Sequence, residues 1–269
     1  MNAQINDIST RYEISGQGPW LTLSHSLATD LTMFADQIEI LNKHFTVLQY
    51  DTRGHGGTTA TPGPYSLNQL ADDAAALMRY LGITKSHWLG LSMGGMIGQG
   101  IALRHPTLID RIILADTSGQ TPAAAVAVWE DRAQTARTQG MAALVPSTLA
   151  RWFTEPFRNG QPKRMKEVAL LISGTPVEGY ANCCLAISQN NFLPLLNTLT
   201  NAALLIVGEK DESTPLAASQ AIADQWRNAK VTVIPDASHI SNIEQPALFN
   251  AAVLEFLLDT EAGAVPVSL

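Results

Sequence analysis

The sequence predicts an α/β protein with a doubly wound, mostly parallel sheet and a helical insertion between two of its strands. Three observations carry that expectation. Apolar strand-like runs alternate with helical patterns. Several runs are apolar at consecutive positions, as strands covered on both faces are. The alternation then stops from about Gln120 to Leu196, where the pattern is mostly helical with no convincing strand. The 269 residues are 46% hydrophobic and 15% charged. That is enough chain for one large core with an insertion, and it carries no disorder signature.

The elements follow in order. Trp20–Ser24 and residues 45–50 are the first two apolar runs. Residues 66–81 place Leu67, Leu70, Ala74, Leu77 and Leu81 at helical spacing, with Ser66 and Gln69 spaced as a capping box and Gly82 able to end the helix. The run 87–91 leads into a helix of small residues, Met93–Arg104, that stops before Pro106. After the run 111–115 comes the helical stretch. Trp129, Ala133 and Ala136 mark one face there, and Val145, Leu149, Trp152 and Phe153 mark another. Runs at 203–207 and 231–234 and a last helix near Pro246–Leu258 complete the pattern. Residues 1–119 and 197–269 are therefore assigned to the sheet core and 120–196 to a helical cap. Packing of those helices elsewhere on the sheet is the alternative. The tail 261–269, with Gly263 and Pro266, is expected to be loosely ordered.

The formal net charge of −7 offers no broad field for nucleic acid or an anionic membrane. A negatively charged substrate would need a local cluster of Arg or Lys. Cys183 and Cys184 are adjacent, where a mutual disulfide would be strained, and no Cys/His spacing suits zinc. The first ten residues do not look like a secretion signal, and no apolar run approaches membrane-spanning length. These features predict a reduced cytoplasmic protein without metal, nucleic-acid partner or membrane contact. A homo-oligomer is left open.

The chemistry gathers at strand ends. Gly90-Leu91-Ser92-Met93-Gly94 matches the G-x-S-x-G pattern, preceded by a strand and followed by a helix. That context puts a serine hydroxyl on a sharp strand-to-helix turn. The serine needs a base to take its proton. Of six histidines only His239 follows the final strand. His44, His87 and His105 read as surface or structural residues. The histidine in turn needs a carboxylate. Asp211, after the penultimate strand, is the expected partner, with nearby Glu209 and Glu212 as competitors for the role. The oxyanion donors are expected to be the N–H of Met93 and that of Leu27, with Ser26 the alternative to Leu27. His25 and Ser26 are candidates to line the pocket, with the equal alternative that they only satisfy local turn hydrogen bonds. Asp51-Thr52-Arg53-Gly54-His55-Gly56 reads as structural, with Arg53 bonding nearby carbonyls.

Residues 12–256 resemble α/β-hydrolases of the 3-oxoadipate enol-lactonase type. The resemblance rests on Ser24-His25-Ser26-Leu27-Ala28-Thr29-Asp30-Leu31, which is similar to that family's SNSLGTDL, and on Tyr50 to Gly56, Gly63-Pro64-Tyr65-Ser66, Gly90 to Gly95 and Ser238 to Asn242. In the cap it rests on Arg151-Trp152-Phe153-Thr154 and on Gly179-Tyr180 with Cys183-Cys184. It implies an α/β-hydrolase fold and the opening of a small carboxylated enol-lactone in aromatic catabolism, without a cofactor. The sequence departs from the family at His25, Ala28 and the run 186–191, where Ser188 and Asn191 fall in place of charged residues. Arg132, Arg137 and Arg151 are left as candidate anion partners, and Trp129 and Trp152 as pocket residues. A general carboxylesterase, a carbon–carbon bond hydrolase and a non-catalytic binding protein are the competing readings.

Overall fold

The computed structural model describes residues 1–259, so the tail expectation lies outside the described residues. Eight strands form one sheet: β1 (Asn2–Ile5), β2 (Ile8–Gly16), β3 (Trp20–Ser24), β4 (Thr46–Tyr50), β5 (Ser86–Leu91), β6 (Ile109–Ala115), β7 (Ala203–Gly208) and β8 (Ala229–Ile234). Their order is β1-β2-β4-β3-β5-β6-β7-β8. From β4 to β8 every pairing is parallel, and β2 runs antiparallel to β4 and to β1. β5 and β7 are buried at every position, which their unbroken apolar runs require. The sequence reading assigns no strand before Trp20. β2 alternates buried and half-exposed residues under Arg, Thr and Ser side chains, so its polar content hides a one-faced strand.

The helices are α1 (Ala35–Leu41), α2 (Leu67–Tyr80), α3 (Met93–Arg104), α4 (Ala123–Gln139), α5 (Val145–Trp152), α6 (Glu155–Gly160), α7 (Pro162–Gly174), α8 (Val177–Ser188), α9 (Leu216–Gln225), α10 (Ser241–Glu244) and α11 (Pro246–Leu258). Ser66 caps α2 by accepting the Gln69 N–H at 3.1 Å, and Gly82 takes φ +73° just past its end. The chain enters and leaves the α4–α8 stretch at one point. Gln120 bridges Asn191 there, and the Thr121 N–H donates to the Asn190 carbonyl at 2.9 Å.

Arg53 does not bond carbonyls as expected. It is fully buried and grips the Asp73 carboxylate with two nitrogens, at 2.7 and 2.9 Å, and Asp7 at 2.6 Å. A buried guanidinium requires such charge compensation.

The topology positions the site. Because β3 to β8 are parallel, the segments after β3, β5, β6, β7 and β8 all emerge at one edge of the sheet. The chain order reverses beside β3, with β4 on one side and β5 on the other. A crevice at such a switch point is where open α/β sheets bind ligands.

Candidate active site

Ser92 stands between β5 and α3 with φ +54° and ψ −112°. A serine at positive φ costs about 1–3 kcal/mol, which the surroundings must offset. They do so by close approach. A Cβ on Gly90 would sit 2.1 Å from the Gly94 carbonyl oxygen, and one on Gly94 would sit 2.0 Å from that of Ser24. Only glycine lets the turn pack this tightly against β3. The Ser92 N–H is held by the Ala115 carbonyl at 2.8 Å.

The hydroxyl meets a histidine. Ser92 Oγ lies 2.9 Å from His239 Nε2, and His239 Nδ1 lies 2.9 Å from Asp211 Oδ2. An ionised carboxylate only accepts, so the ring proton sits on Nδ1 and Nε2 keeps a lone pair for the Ser92 hydroxyl. Asp211 is further anchored by the Ser213 N–H (2.8 Å), the Thr214 N–H (3.0 Å) and the Thr214 hydroxyl (2.6 Å). Burial alone would raise the pKa of Asp211, but His239 and these donors hold it down to about 2. Burial likewise opposes charge on His239, and Asp211 outweighs it, raising the histidine above its ordinary value. Asp211 is the carboxylate bonded to His239, whereas Glu209 accepts the Asp236 N–H and Glu212 lines the cavity.

A cavity of about 650 Å³ opens on Ser92 and His239. Ser26, Leu27, Trp129, Arg132, Arg151 and Trp152 line it. Ser26 Oγ is buried and has no hydrogen-bond partner among the described residues, so a polar atom is left over at the wall. The Arg132 guanidinium stacks on the Trp129 ring, 4.4 Å from its centroid. Arg151 donates to Thr148 Oγ1 at 3.2 Å, and burial together with nearby Arg132 lowers its pKa to about 10. Among the described residues neither arginine has a carboxylate partner. Two cations without acidic partners share this cavity, which Glu155 and Glu212 also line, and make their part of it favourable to an anion. Arg137 is different, because it is paired with Glu178 at 2.9 Å outside the cavity. Ser188 donates to the Leu185 carbonyl and Asn191 accepts from Gln120, so neither departure from the family pattern reaches the wall.

His25 is a correction. It is wholly buried and does not line the cavity. Its Nε2 accepts the Thr52 N–H at 2.9 Å, so Nδ1 carries the proton and donates to the Ser26 carbonyl at 2.7 Å. His55, which the sequence reading leaves in a turn, does parallel work by accepting the Ala28 N–H at 3.2 Å. The Ser26 N–H donates to Met33 Sδ, and that of Thr29 to the Ser26 carbonyl. These bonds commit the amides on either side of Leu27, whose own N–H has no bond among the described residues. Met93, the first residue of α3, has one of the N–H groups a helix start leaves unpaired, while its side chain is fully buried.

Both buried histidines must be neutral to accept those N–H groups. Burial, reinforced by His25, pushes His55 down to about 3 from 6.5. Burial also lowers His25, with Asp51 opposing it. Protonation is easier in the unfolded chain, so this contribution to stability is complete above pH 6.5 and is lost as pH falls toward 3. Urea unfolding midpoints should fall steadily from pH 7 to pH 4. The slope should be shallower for His55→Gln, and an equal slope would contradict this assignment.

The histidine segment is tied to the end of α5. The Ile240 N–H donates to the Trp152 carbonyl at 3.2 Å and the Ser238 hydroxyl to that of Arg151 at 3.2 Å. Glu244 accepts from the Ser238 N–H at 2.9 Å and the Thr154 N–H at 3.0 Å. Cys183 and Cys184 are free and buried. Burial drives both thiols up, Cys184 to about 12, which leaves them unreactive. Among the described residues no cluster could hold a metal ion and no helix is long and apolar enough to cross a membrane.

Comparison with known proteins identifies the fold family. A family model described as the alpha/beta hydrolase fold matches residues 19–246. The chain is 35% identical over 249 residues to 3-oxoadipate enol-lactonase 2 of Acinetobacter baylyi, covering 92% of each chain. The crystal structure of the enol-lactonase from Burkholderia xenovorans LB400 superposes with a TM-score of 0.93 at 39% identity, covering 96% of this chain and 100% of that one. A thermophilic esterase from Thermogutta terrifontis, with malate bound, gives 0.92 at 27% identity, covering 98% and 100%.

Proposed function

The chain belongs to the alpha/beta hydrolase fold family, and from that premise we propose that it hydrolyses a small anionic lactone or ester through an acyl-enzyme on Ser92. A carboxylated enol-lactone such as that of 3-oxoadipate is the sharpest form of this reading. The observation that carries it is one continuous arrangement: the Ser92–His239–Asp211 hydrogen-bond chain faces a cavity that also holds two arginines without acidic partners.

The chemistry follows from the donors and acceptors. As Ser92 Oγ bonds to the lactone carbonyl carbon, its proton passes to His239 Nε2, and Asp211 stabilises the imidazolium. Charge builds on the carbonyl oxygen, which the N–H groups of Leu27 and Met93 receive. Collapse breaks the ring C–O bond. The enol oxygen leaves with the proton from His239, and the enol becomes a ketone. Water, deprotonated by His239, then cleaves the ester to Ser92 and frees the second carboxylate. Residues 120–196 act as a cap that walls the reacting groups from solvent. Ser26 Oγ, Trp129 and Trp152 shape the space beside the carbonyl, and Arg132 and Arg151 hold the carboxylate end.

The enol-lactone relatives and the malate-bound esterase support a carboxylated ligand. A substrate panel tests it. The carboxylated enol-lactone should exceed neutral lactones and short aryl esters in kcat/KM. Replacing Arg132 or Arg151 with alanine should raise KM for the carboxylated substrate roughly 10–100-fold, the value of a lost charged hydrogen bond, with kcat little changed. An unchanged KM in both variants, or faster turnover of neutral aryl esters, would discard the anionic reading and leave a general esterase.

A further inference from the structure

We infer that Asp116 and Thr117, the dipeptide that follows β6, hold the segments carrying Ser92, Asp211 and His239 in register, making them positioning residues for hydrolysis. The inference rests on the reading of Ser92 as nucleophile. Asp116 is wholly buried and takes φ +45°. Its Oδ1 accepts the N–H of Gly208 at 2.8 Å, three residues before Asp211. Its Oδ2 accepts the Ser241 hydroxyl at 2.6 Å and N–H at 3.2 Å, two residues after His239. Its own N–H is fixed to the Ile206 carbonyl at 2.8 Å. The Thr117 hydroxyl donates to the Ser92 carbonyl at 2.7 Å. Two adjacent side chains thus reach all three segments.

The residue types suit the task. A carboxylate only accepts, and here three donors converge on its two oxygens. An asparagine would turn an NH₂ group against one of those donors. A buried aspartate at positive φ is costly, and it persists because its partners over-determine it. The charges facing the His239 ring are Asp211 and Asp116, which favour the imidazolium, and Arg151, which opposes it. Glu244 faces the Ser238 N–H instead. Burial, with Asp211 adding to it, pushes Asp116 itself up to about 7. Above that pH its negative charge adds to the proton affinity of His239.

The test compares Asp116→Asn, Thr117→Val and Thr117→Ser with wild type in the full-length chain, with Ser92→Ala alongside. Asp116→Asn should lower kcat roughly 10–100-fold, the scale of a small misplacement of reacting groups, while KM stays within about twofold. It should also move the acid limb of kcat/KM to lower pH, because the imidazolium has lost a counter-charge. Thr117→Val should lower kcat, and Thr117→Ser, which keeps the hydroxyl, should restore it. Wild-type kcat with an unmoved acid limb in Asp116→Asn would overturn the inference. If that variant does not fold, the threonine pair decides: equal kcat for valine and serine refutes the anchor, and serine rescue upholds it. Turnover surviving in Ser92→Ala would instead refute the underlying mechanism, whatever the dipeptide does.

Discussion

Ser92→Ala should fold as the wild type does and lose kcat by roughly 10⁵–10⁶-fold, the scale seen when a hydrolase loses its nucleophile. The size follows from what the hydroxyl does. Without Oγ no acyl-enzyme forms, and water must attack the carbonyl directly with only the amides and the cavity to help. KM should change little, because the side chain is small and the carboxylate contacts lie elsewhere. Alanine keeps the Cβ that the backbone already accommodates at φ +54°, and losing Oγ leaves only the His239 Nε2 acceptor without its partner. Thermal unfolding should therefore shift by no more than a few degrees. Loss of activity with an intact unfolding transition separates chemistry from folding. A variant within tenfold of wild-type kcat would rule out Ser92 as nucleophile.

The second large effect belongs to Asp211→Asn, for which kcat should fall by about 10⁴-fold. Asparagine keeps the shape, and its carbonyl can still accept from Ser213 and Thr214. What it removes is the negative charge 2.9 Å from His239 Nδ1. If the amide nitrogen takes that place, the imidazole must accept at Nδ1 and carry its proton on Nε2, facing Ser92 with nothing to accept a proton. The pH profile should change as well. Asp211 raises the pKa of His239, so any residual activity should have an acid limb at lower pH. Wild-type turnover in this variant would remove Asp211 from the account.

Much of this arrangement is legible in the chain. Apolar runs, small-residue content and proline positions place β3 at Trp20–Ser24, α3 at Met93–Arg104 and α11 at Pro246–Leu258, because buried elements write their environment into residue composition. Loop position then selects Ser92, Asp211 and His239, since a parallel sheet sends every strand end to the same edge. Other features were not legible, for physical reasons. β2 carries arginine and glutamate on its outward face and reads as a polar leader. His25 sits next to pocket residues in sequence, but a one-residue change of direction after β3 turns it toward Thr52. Asp116 and Thr117 have no motif of their own. Their importance comes from bonds to residues 92, 208 and 241, which no local pattern encodes. Arg132 and Arg151 are ordinary helix residues by spacing, and only the fold shows that acids partner Arg137 but not them.

The most direct measurement is mass spectrometry of the intact chain and its peptides after reaction with a fluorophosphonate, which bonds to an activated serine oxygen. A nucleophilic Ser92 requires a single adduct, on the peptide containing Gly90 to Gly94, formed in wild type and absent from Ser92→Ala and His239→Ala. An adduct on another serine, or an unmodified wild-type chain under conditions that inactivate a serine esterase, would contradict it.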